Sequence, residues 1–297
     1  MLYKIIYKMS ILRLTFVLLS IGLIIYFCIE LYSNKLLDDG KKLLDSVKKD
    51  FEIDDELLLK VPKYYINLDR STDRKEKLEQ EFRRYGIKNY TRIQAVDRDQ
   101  LKNPKKGKIN GIKYDIQYEM RSHEIAITLS HFLAVKKAYD NGDEKAIIFE
   151  DDINFSLYPL WKKSFTNMVD SLPKDVEIFQ MTSNRKIDNI SFNIVKRPNK
   201  LHTHGCSAAY LINRKGMKKI IDNFFLKENS IIIKKELNLK NPCFDFGIFN
   251  FMKVYYLECN LFLLYNFEKE KNTYQQNKIL RFIERDYQTL KYLTDNK

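Results

Sequence analysis

Three carboxylates in a row, Glu150, Asp151 and Asp152, follow directly on the apolar run Ala146-Ile147-Ile148-Phe149. A short, wholly apolar run of this kind reads as a central parallel strand. In open α/β sheets, ligands bind at the carboxyl ends of strands. Like charges crowded there are costly unless something positive compensates them. A divalent cation that takes hard oxygen ligands, magnesium or manganese, is the natural compensator. At that place it would bridge the phosphates of a nucleotide and stabilise a leaving diphosphate. On an extended segment Glu150 and Asp152 point one way and Asp151 the other. The ordinary alternative is a solvated acidic turn at a strand end.

Two further segments carry groups of the same chemistry. Ile66-Asn67-Leu68-Asp69-Arg70-Ser71-Thr72-Asp73-Arg74 reads as a strand, a turn and a helix start. A helix N-terminus favours anions, and Arg70 and Arg74 can bind phosphate; the alternative is a capped helix with surface arginines. Glu124 and His131 lie seven apart on one helix face. The alternative there is a core helix with one hydrogen-bonded histidine.

These groups need a scaffold, and the pattern supplies one. Lys63 to Asp69 reads as a strand by its β-formers. Ser71 caps a helix over 72–85, which Gly86 stops. A strand over 90–96 follows, then a helix over 124–139 ended by Asn141-Gly142. Beyond the strand at 146–149 come a helix over 159–172, strands at 176–181 and 207–212, and a helix over 214–225. A short helical piece over 244–252, a strand over 255–263 and a terminal helix over 279–293 complete the chain. Strands and helices alternate, so the expected fold is α/β with a mainly parallel sheet flanked by helices.

The chain has 297 residues with 44% hydrophobic and 31% charged side chains, enough to bury a core. Its four cysteines, Cys28, Cys206, Cys243 and Cys259, form no CxxC pair, which excludes a zinc ribbon and a thioredoxin-type motif. The net charge of +13 is spread among interleaved acids and bases. The one sharp cluster, Lys102, Lys105, Lys106 and Lys108, reads as a solvated loop. No nucleic-acid-binding spacing is present, so no nucleic-acid partner is expected.

Residues 14–29 carry no charge. With flanking apolar residues and snorkelling of Arg13 the stretch spans a membrane. Lys4, Lys8 and Arg13 precede it, which puts the N-terminus in the cytosol. The expected organisation is a cytosolic segment 1–13, a transmembrane signal anchor 14–32, a charged stem 33–60 and a globular domain 61–297. The arrangement is single-pass type II, with the domain luminal or extracytoplasmic. Sequons at Asn89, Asn154 and Asn189 suit that side.

Taken together, the order INLDRSTDR (66–74), QAVD (94–97), EIAITLSH (124–131) and FEDD (149–152) resembles glycosyltransferase family 25, which includes lipooligosaccharide-type sugar transferases and collagen galactosyltransferases. The segment 204–216 and Phe244-Asp245 extend the resemblance, which covers about residues 61–265. It implies a GT-A fold, a UDP-sugar donor with galactose or glucose as the sugar, and a glycan, glycolipid or protein acceptor. It also implies Mn2+ or Mg2+ held by Asp152 and Glu150. Asn67, Leu68, Arg70, Arg74, Asp97, Glu150 and Asp151 would border the nucleotide, and Glu124, Ser130 and His131 would shape the donor pocket. The family is regarded as inverting, which calls for a carboxylate base; Asp245 is the candidate, with a helix-capping role as the alternative. His123, Ile127 and Arg98 depart from the family pattern and leave donor identity open. His202 and His204 form an HxH pair that reads as loop histidines. The rival reading is a catalytically degenerate, membrane-anchored scaffold on a transferase fold.

Overall fold

The computed structural model describes residues 55–103, 105–183, 190–198, 205–227, 229–239, 241–262, 287–289 and 291–294, with isolated helical positions between 28 and 42. The elements follow in chain order. Helix α1 (Glu56–Lys60) leads into strand β1 (Lys63–Asn67), helix α2 (Thr72–Arg84) and strand β2 (Tyr90–Gln94). A hairpin of β3 (Lys106–Ile109) and β4 (Ile112–Ile116) precedes the long helix α3 (Ser122–Asp140) and strand β5 (Lys145–Glu150). Helix α4 (Phe165–Asp170), β6 (Ile178–Gln180), β7 (Ile194–Lys196), β8 (Ala209–Asn213) and helix α5 (Arg214–Phe224) come next. Strands β9 (Phe225–Lys227) and β10 (Ser230–Ile233), a π-helix (Phe244–Ile248), helix α6 (Phe249–Phe251) and β11 (Val254–Leu257) follow.

The main sheet has seven strands in the order β2-β1-β5-β8-β6-β11-β7. Successive residues of a strand face opposite sides, and the core divides accordingly. Tyr65, Ile147, Phe149, Phe179 and Leu211 pack with α1, α2 and α4 on one face. Tyr64, Ile66, Ala146, Ile148, Ile178, Tyr210 and Ile212 pack with α3 and α5 on the other. Helices therefore cover both faces.

The expected mainly parallel sheet is in fact mixed. β1 runs parallel to β2 and β5, and β6 runs parallel to β11. β8 is antiparallel to both β5 and β6, and β7 is antiparallel to β11. A strand buried on both faces shows the same apolar run in either direction, so its residues do not encode its pairing sense.

A second sheet, β3-β4-β10-β9, packs its Ile109, Tyr114, Ile116, Ile231 and Ile233 against the α3 side. Here the lysine cluster is only partly a loop, at Lys102 and Lys105. Lys106 and Lys108 lie on β3, joined to β4 by Asn110 and Gly111 with φ of 48° and 80°. Both positive values suit a tight hairpin turn. Lys105 pairs with Glu119, and Lys106 lies 3.8 Å from Asp115.

Other boundaries shift for local reasons. The helix expected over 159–172 is a 3-10 turn at Tyr158–Leu160 and then α4, because Ser164 caps a new start by accepting from the Asn167 amide at 3.1 Å. Ser71 sits at the N-cap of α2 but its hydroxyl makes no cap bond. The end of the expected stem is part of the globule: Leu58 is fully buried, and Asp55 accepts from the amides of Leu58 and Thr166 at 3.0 Å each. Among the described residues no helix is long and apolar enough to cross a membrane. The expected anchor at 14–32 lies mostly outside the described residues, as do Asn189, the HxH pair and most of the terminal helix. Asn89 is exposed, whereas Asn154 is buried and accepts from the Ser156 amide at 3.1 Å.

Candidate active site

β1 and β5 are parallel neighbours, with Ile66 opposite Glu150. Their carboxyl ends therefore bring Asn67 beside the acidic triplet. The strand stops at Glu150, and Asp151 and Asp152 form a turn. The strict alternation expected of an extended triplet is not imposed beyond that point; Glu150 and Asp151 take different partners, and Asp152 Oδ1 takes none.

Glu150 faces α3 and β8. Its Oε1 accepts from the Ser207 hydroxyl at 2.9 Å and lies 3.3 Å from His131 Nε2. Burial would raise this carboxyl, but the His131 and Ser207 contacts outweigh burial and hold it below the ordinary value. Asp151 faces β1 and α2. Its Oδ2 accepts from the Asn67 amide at 2.7 Å, and its Oδ1 lies 3.2 Å from Arg74 Nη1. Burial nonetheless keeps it above the ordinary value. Asp152 has less help, only the charge of Arg74 and a backbone hydrogen bond. Its Oδ1 is buried without a hydrogen-bond partner. Burial and the charges of Glu150 and Asp151 push its carboxyl well up.

His131 is buried in a cage. Its ring stacks on Phe244 with centroids 4.4 Å apart, and its Nδ1 lies 3.2 Å from the Tyr210 hydroxyl. Burial, with the charge of Glu150, raises the Tyr210 hydroxyl well above its ordinary value. The tyrosine thus stays a neutral hydrogen-bonding group.

The Phe244 ring leads to the next residue, Asp245, in the π-helix. The N-cap of that helix is Cys243, and no side chain caps it. Asp245 is therefore not the capping residue that the sequence left open. Its Oδ1 is buried and unpartnered. Burial is the main reason that its carboxyl stands above the ordinary range; the Cys243 thiol bond opposes it, Glu150 adds to it, and His131 and Arg197 oppose it. π-Turns inside helices cluster at functional sites. Gly247 makes this one possible, since a Cβ there would lie 1.7 Å from the Asn241 carbonyl oxygen.

The remaining residues divide. Arg70 turns to Asp97, with Asp99 at 3.6 Å. Asp97 also caps a 3-10 turn by accepting from the Asp99 amide at 3.0 Å. The Leu68 carbonyl closes the turn to the Ser71 amide at 3.0 Å. Ser130 is buried, with its hydroxyl donating to Ala126 and accepting from the Val96 amide. Glu124 binds the Arg121 amide and guanidinium at 2.9 and 2.7 Å, which ties it to the start of α3. Ser130 and Glu124 thus brace the helix that carries His131.

Several site residues were not legible. Arg92 donates from Nε to Asn67 Oδ1 at 3.0 Å and from Nη2 to the Asn67 carbonyl at 3.2 Å. Ser207, Tyr210 and Arg197 also touch the site. Arg92 is two residues before Gln94 in the QAVD segment, the one sequence cue that could have flagged it.

The donor set can be tested for a divalent cation. Among the described residues no cluster of three or more His, Cys, Asp or Glu is gathered to cage one. The unpartnered buried Asp152 oxygen, with part-buried Glu150 two residues before it, does fit a cation of the magnesium kind. Such cations take one or two carboxylates and complete their shell with substrate phosphates and water.

The glycosyltransferase R655 of Acanthamoeba polyphaga mimivirus, so named among curated proteins, is 31% identical over 108 residues, which are 36% of this chain and 32% of that protein. The chain thus matches about a third of the length of that relative. A solved glycosyltransferase involved in glycosylation of the major capsid of PBCV-1 is 9% identical, covering 75% of this chain and 98% of its own, with a TM-score of 0.31, too low to argue from. Residues 60–232, more than half of the sequence, match glycosyltransferase family 25 (LPS biosynthesis protein), and the chain belongs to that family.

Proposed function

We propose that the protein is an inverting glycosyltransferase that moves a hexose, galactose or glucose, from a UDP-sugar to a hydroxyl of a glycan, glycolipid or protein. The observation that carries this reading is the division of labour in the acidic triplet. Glu150 and Asp151 are fixed by neighbours, while Asp152 keeps a buried oxygen with no partner. That pattern leaves one strong acceptor aimed at a ligand at the carboxyl end of β5. Mn2+ or Mg2+ held by Asp152 and Glu150 would neutralise charge on the departing diphosphate.

The rest of the work falls to the chain's own side chains. Arg74, held at Asp151, borders the leaving group and adds positive charge. Arg70 and Asp97 close the nucleotide side. Asp245 takes the proton of the acceptor hydroxyl as it attacks the anomeric carbon from the face opposite the diphosphate. A carboxyl held above its ordinary value is a stronger base than a solvated one. The GT-A type of fold and the membrane anchor at 14–32, with the domain on the luminal or extracytoplasmic side, belong to the same reading.

The test is thermal shift of the full chain with UDP-, GDP- and CMP-sugars, with and without manganese, repeated on Asp152→Asn. A manganese-dependent shift with one UDP-sugar, lost in the variant, supports the reading and names the donor. A folded protein that responds to no nucleotide-sugar favours a non-catalytic scaffold.

A further inference from the structure

Arg197, immediately after β7, is a buried cation, 5% exposed. Among the described residues no carboxylate comes within ion-pair distance of it, so its charge is not spent on a salt bridge. Its Nη2 donates to the backbone carbonyl of Asp245 at 2.7 Å, its Nη1 lies 3.5 Å from Gln180 Oε1, and its guanidinium sits 5.2 Å over the Phe249 ring. The Asp245 carboxylate favours its charged form from beyond ion-pair distance, and burial outweighs that help; burying a guanidinium on those terms is expensive. Satisfying those two oxygens is a structural role in itself; what sets the position apart is that one of them belongs to the Asp245 backbone.

Gln180 extends these contacts. Its Nε2 donates to the carbonyls of Thr182 at 2.7 Å and Cys206 at 3.0 Å. Cys206 has φ of 147°, in the region that favours glycine, and such strain persists only where its surroundings over-determine it. The next residue, Ser207, holds Glu150. One buried polar chain therefore runs from Asp245 through Arg197 and Gln180 to the loop that fixes Glu150. The groups that bear on the Asp245 carboxyl are Cys243, Glu150, His131 and Arg197.

We infer that Arg197 is a positioning residue for transfer: it holds the Asp245 backbone, and so sets where the Asp245 carboxylate stands and what charge it faces, with Gln180 as its brace. This rests on the reading of Asp245 as the base. It differs from a packing role in what it controls, namely the rate and its acid limb rather than donor affinity.

The experiment uses the full chain and the UDP-hexose that gives the thermal shift, with release of UDP to water as the measured turnover. In that reaction the bond from the anomeric carbon to phosphate oxygen breaks, a bond from that carbon to water oxygen forms, and the proton goes to Asp245. Arg197→Met, Arg197→Lys and Asp245→Asn are compared. Arg197→Met is expected to lower kcat roughly 100-fold, the scale of a misplaced catalytic group. KM for the donor should change little, and the acid limb should move to higher pH, with partial recovery in Arg197→Lys. If Arg197→Met does not fold, Arg197→Lys alone is read: a lowered kcat at unchanged KM supports the inference. Variants with lowered Tm but wild-type kcat and pH profile would overturn it and leave Arg197 a packing residue. Wild type that neither binds nor turns over any nucleotide-sugar sinks the transferase reading itself, and this inference falls with it.

Discussion

The Asn67 side-chain amide donates to Asp151 Oδ2 at 2.7 Å across 84 residues of sequence. Both of its ends are committed. Nδ2 also donates to the Ser71 carbonyl at 2.9 Å, and Oδ1 accepts from Arg92 Nε at 3.0 Å. Arg92 in turn lies 2.6 Å from Asp69 Oδ1. The orientation of the amide is thereby fixed, and Asp151 is fixed with it. Asn67→Asp puts a carboxylate against a carboxylate and keeps only the Arg92 contact. It should cost about 1–3 kcal/mol of stability, the range for a buried polar group left without its partner. Chemical denaturation would measure that cost. Donor affinity should fall as well, and an Asn67→Asp protein as stable and as tight as wild type would contradict the assignment.

Asp152 and Asp245 are both half-buried residues with one buried, unpartnered carboxylate oxygen, but they are read as serving different steps. Asp245→Asn should lose transfer by a factor of roughly 10²–10⁴, the usual contribution of a positioned base, while the donor-dependent thermal shift survives. Asp152→Asn should lose both. Turnover and thermal shift on the same two preparations separate the roles, and identical behaviour in the two variants would erase the distinction.

The Asp245 carboxyl also makes a signed prediction about pH. Its folded-state value is raised, chiefly by burial. A group raised on folding binds its proton more readily in the native state. Its ionisation therefore subtracts stability as pH climbs from the ordinary carboxylate value, about 3.9, through the raised one. Asp245→Asn removes that loss. The variant should melt at or above wild type near neutral pH, and the gap should close as pH falls below about 4. The acid limb of turnover should lie above the ordinary aspartate value for the same reason. A variant less stable than wild type at neutral pH would mean that the ionised carboxylate is a net stabiliser.

What the sequence made legible was what sits on one continuous element. The apolar run into Glu150-Asp151-Asp152 marks the candidate site, α3 brings His131 against Glu150, and the helical piece at 244 carries Asp245. What stayed hidden comes from pairing between distant elements. Ser207 and Tyr210 reach the site because β8 lies antiparallel beside β5, and Tyr210-Leu211-Ile212 reads the same in either direction. Arg92 needs the parallel pairing of β2 with β1. The fate of Asp151 and Asp152 depended on where the strand stops, and a single residue there reverses which side chains share a face. Asn110-Gly111 did carry a hairpin signal in plain view.

Lys63 offers a test of the joint between the first helical turn and the domain. It is 1% exposed, and its ammonium donates to the carbonyls of Leu58, Leu59 and Val61, the last at 2.7 Å. These are carbonyls at the C-terminal end of α1, and burial brings the amine that serves them down to about 7. Lys63→Met fills similar space but leaves them without that donor. A loss of about 3 kcal/mol follows, the upper range for removing a partner from buried polar groups. Thermal or urea unfolding would show it, and a stability change under about 0.5 kcal/mol, the ordinary surface range, would mean that water or other donors replace the ammonium.

Gly247 provides the sharpest steric test of the π-helix. A Cβ would meet the Asn241 carbonyl oxygen at 1.7 Å and its carbon at 2.6 Å. Neither atom belongs to a flexible side chain, so the backbone on one side must move. Gly247→Ala therefore displaces the turn that carries Asp245 two residues earlier, together with the Phe244 ring stacked on His131. The carboxylates at the end of β5 are held by Asn67, Arg74, Ser207 and His131, and only the last of these touches the π-helix directly. Donor binding should then survive in weakened form, while turnover falls about as far as in Asp245→Asn, since a displacement of 1 Å can cost 10²-fold. The decisive comparison is the double variant with Asp245→Asn. If the glycine acts through the base, adding Gly247→Ala to Asp245→Asn should lower the rate little further. If the two losses multiply, the glycine supports something other than the position of Asp245.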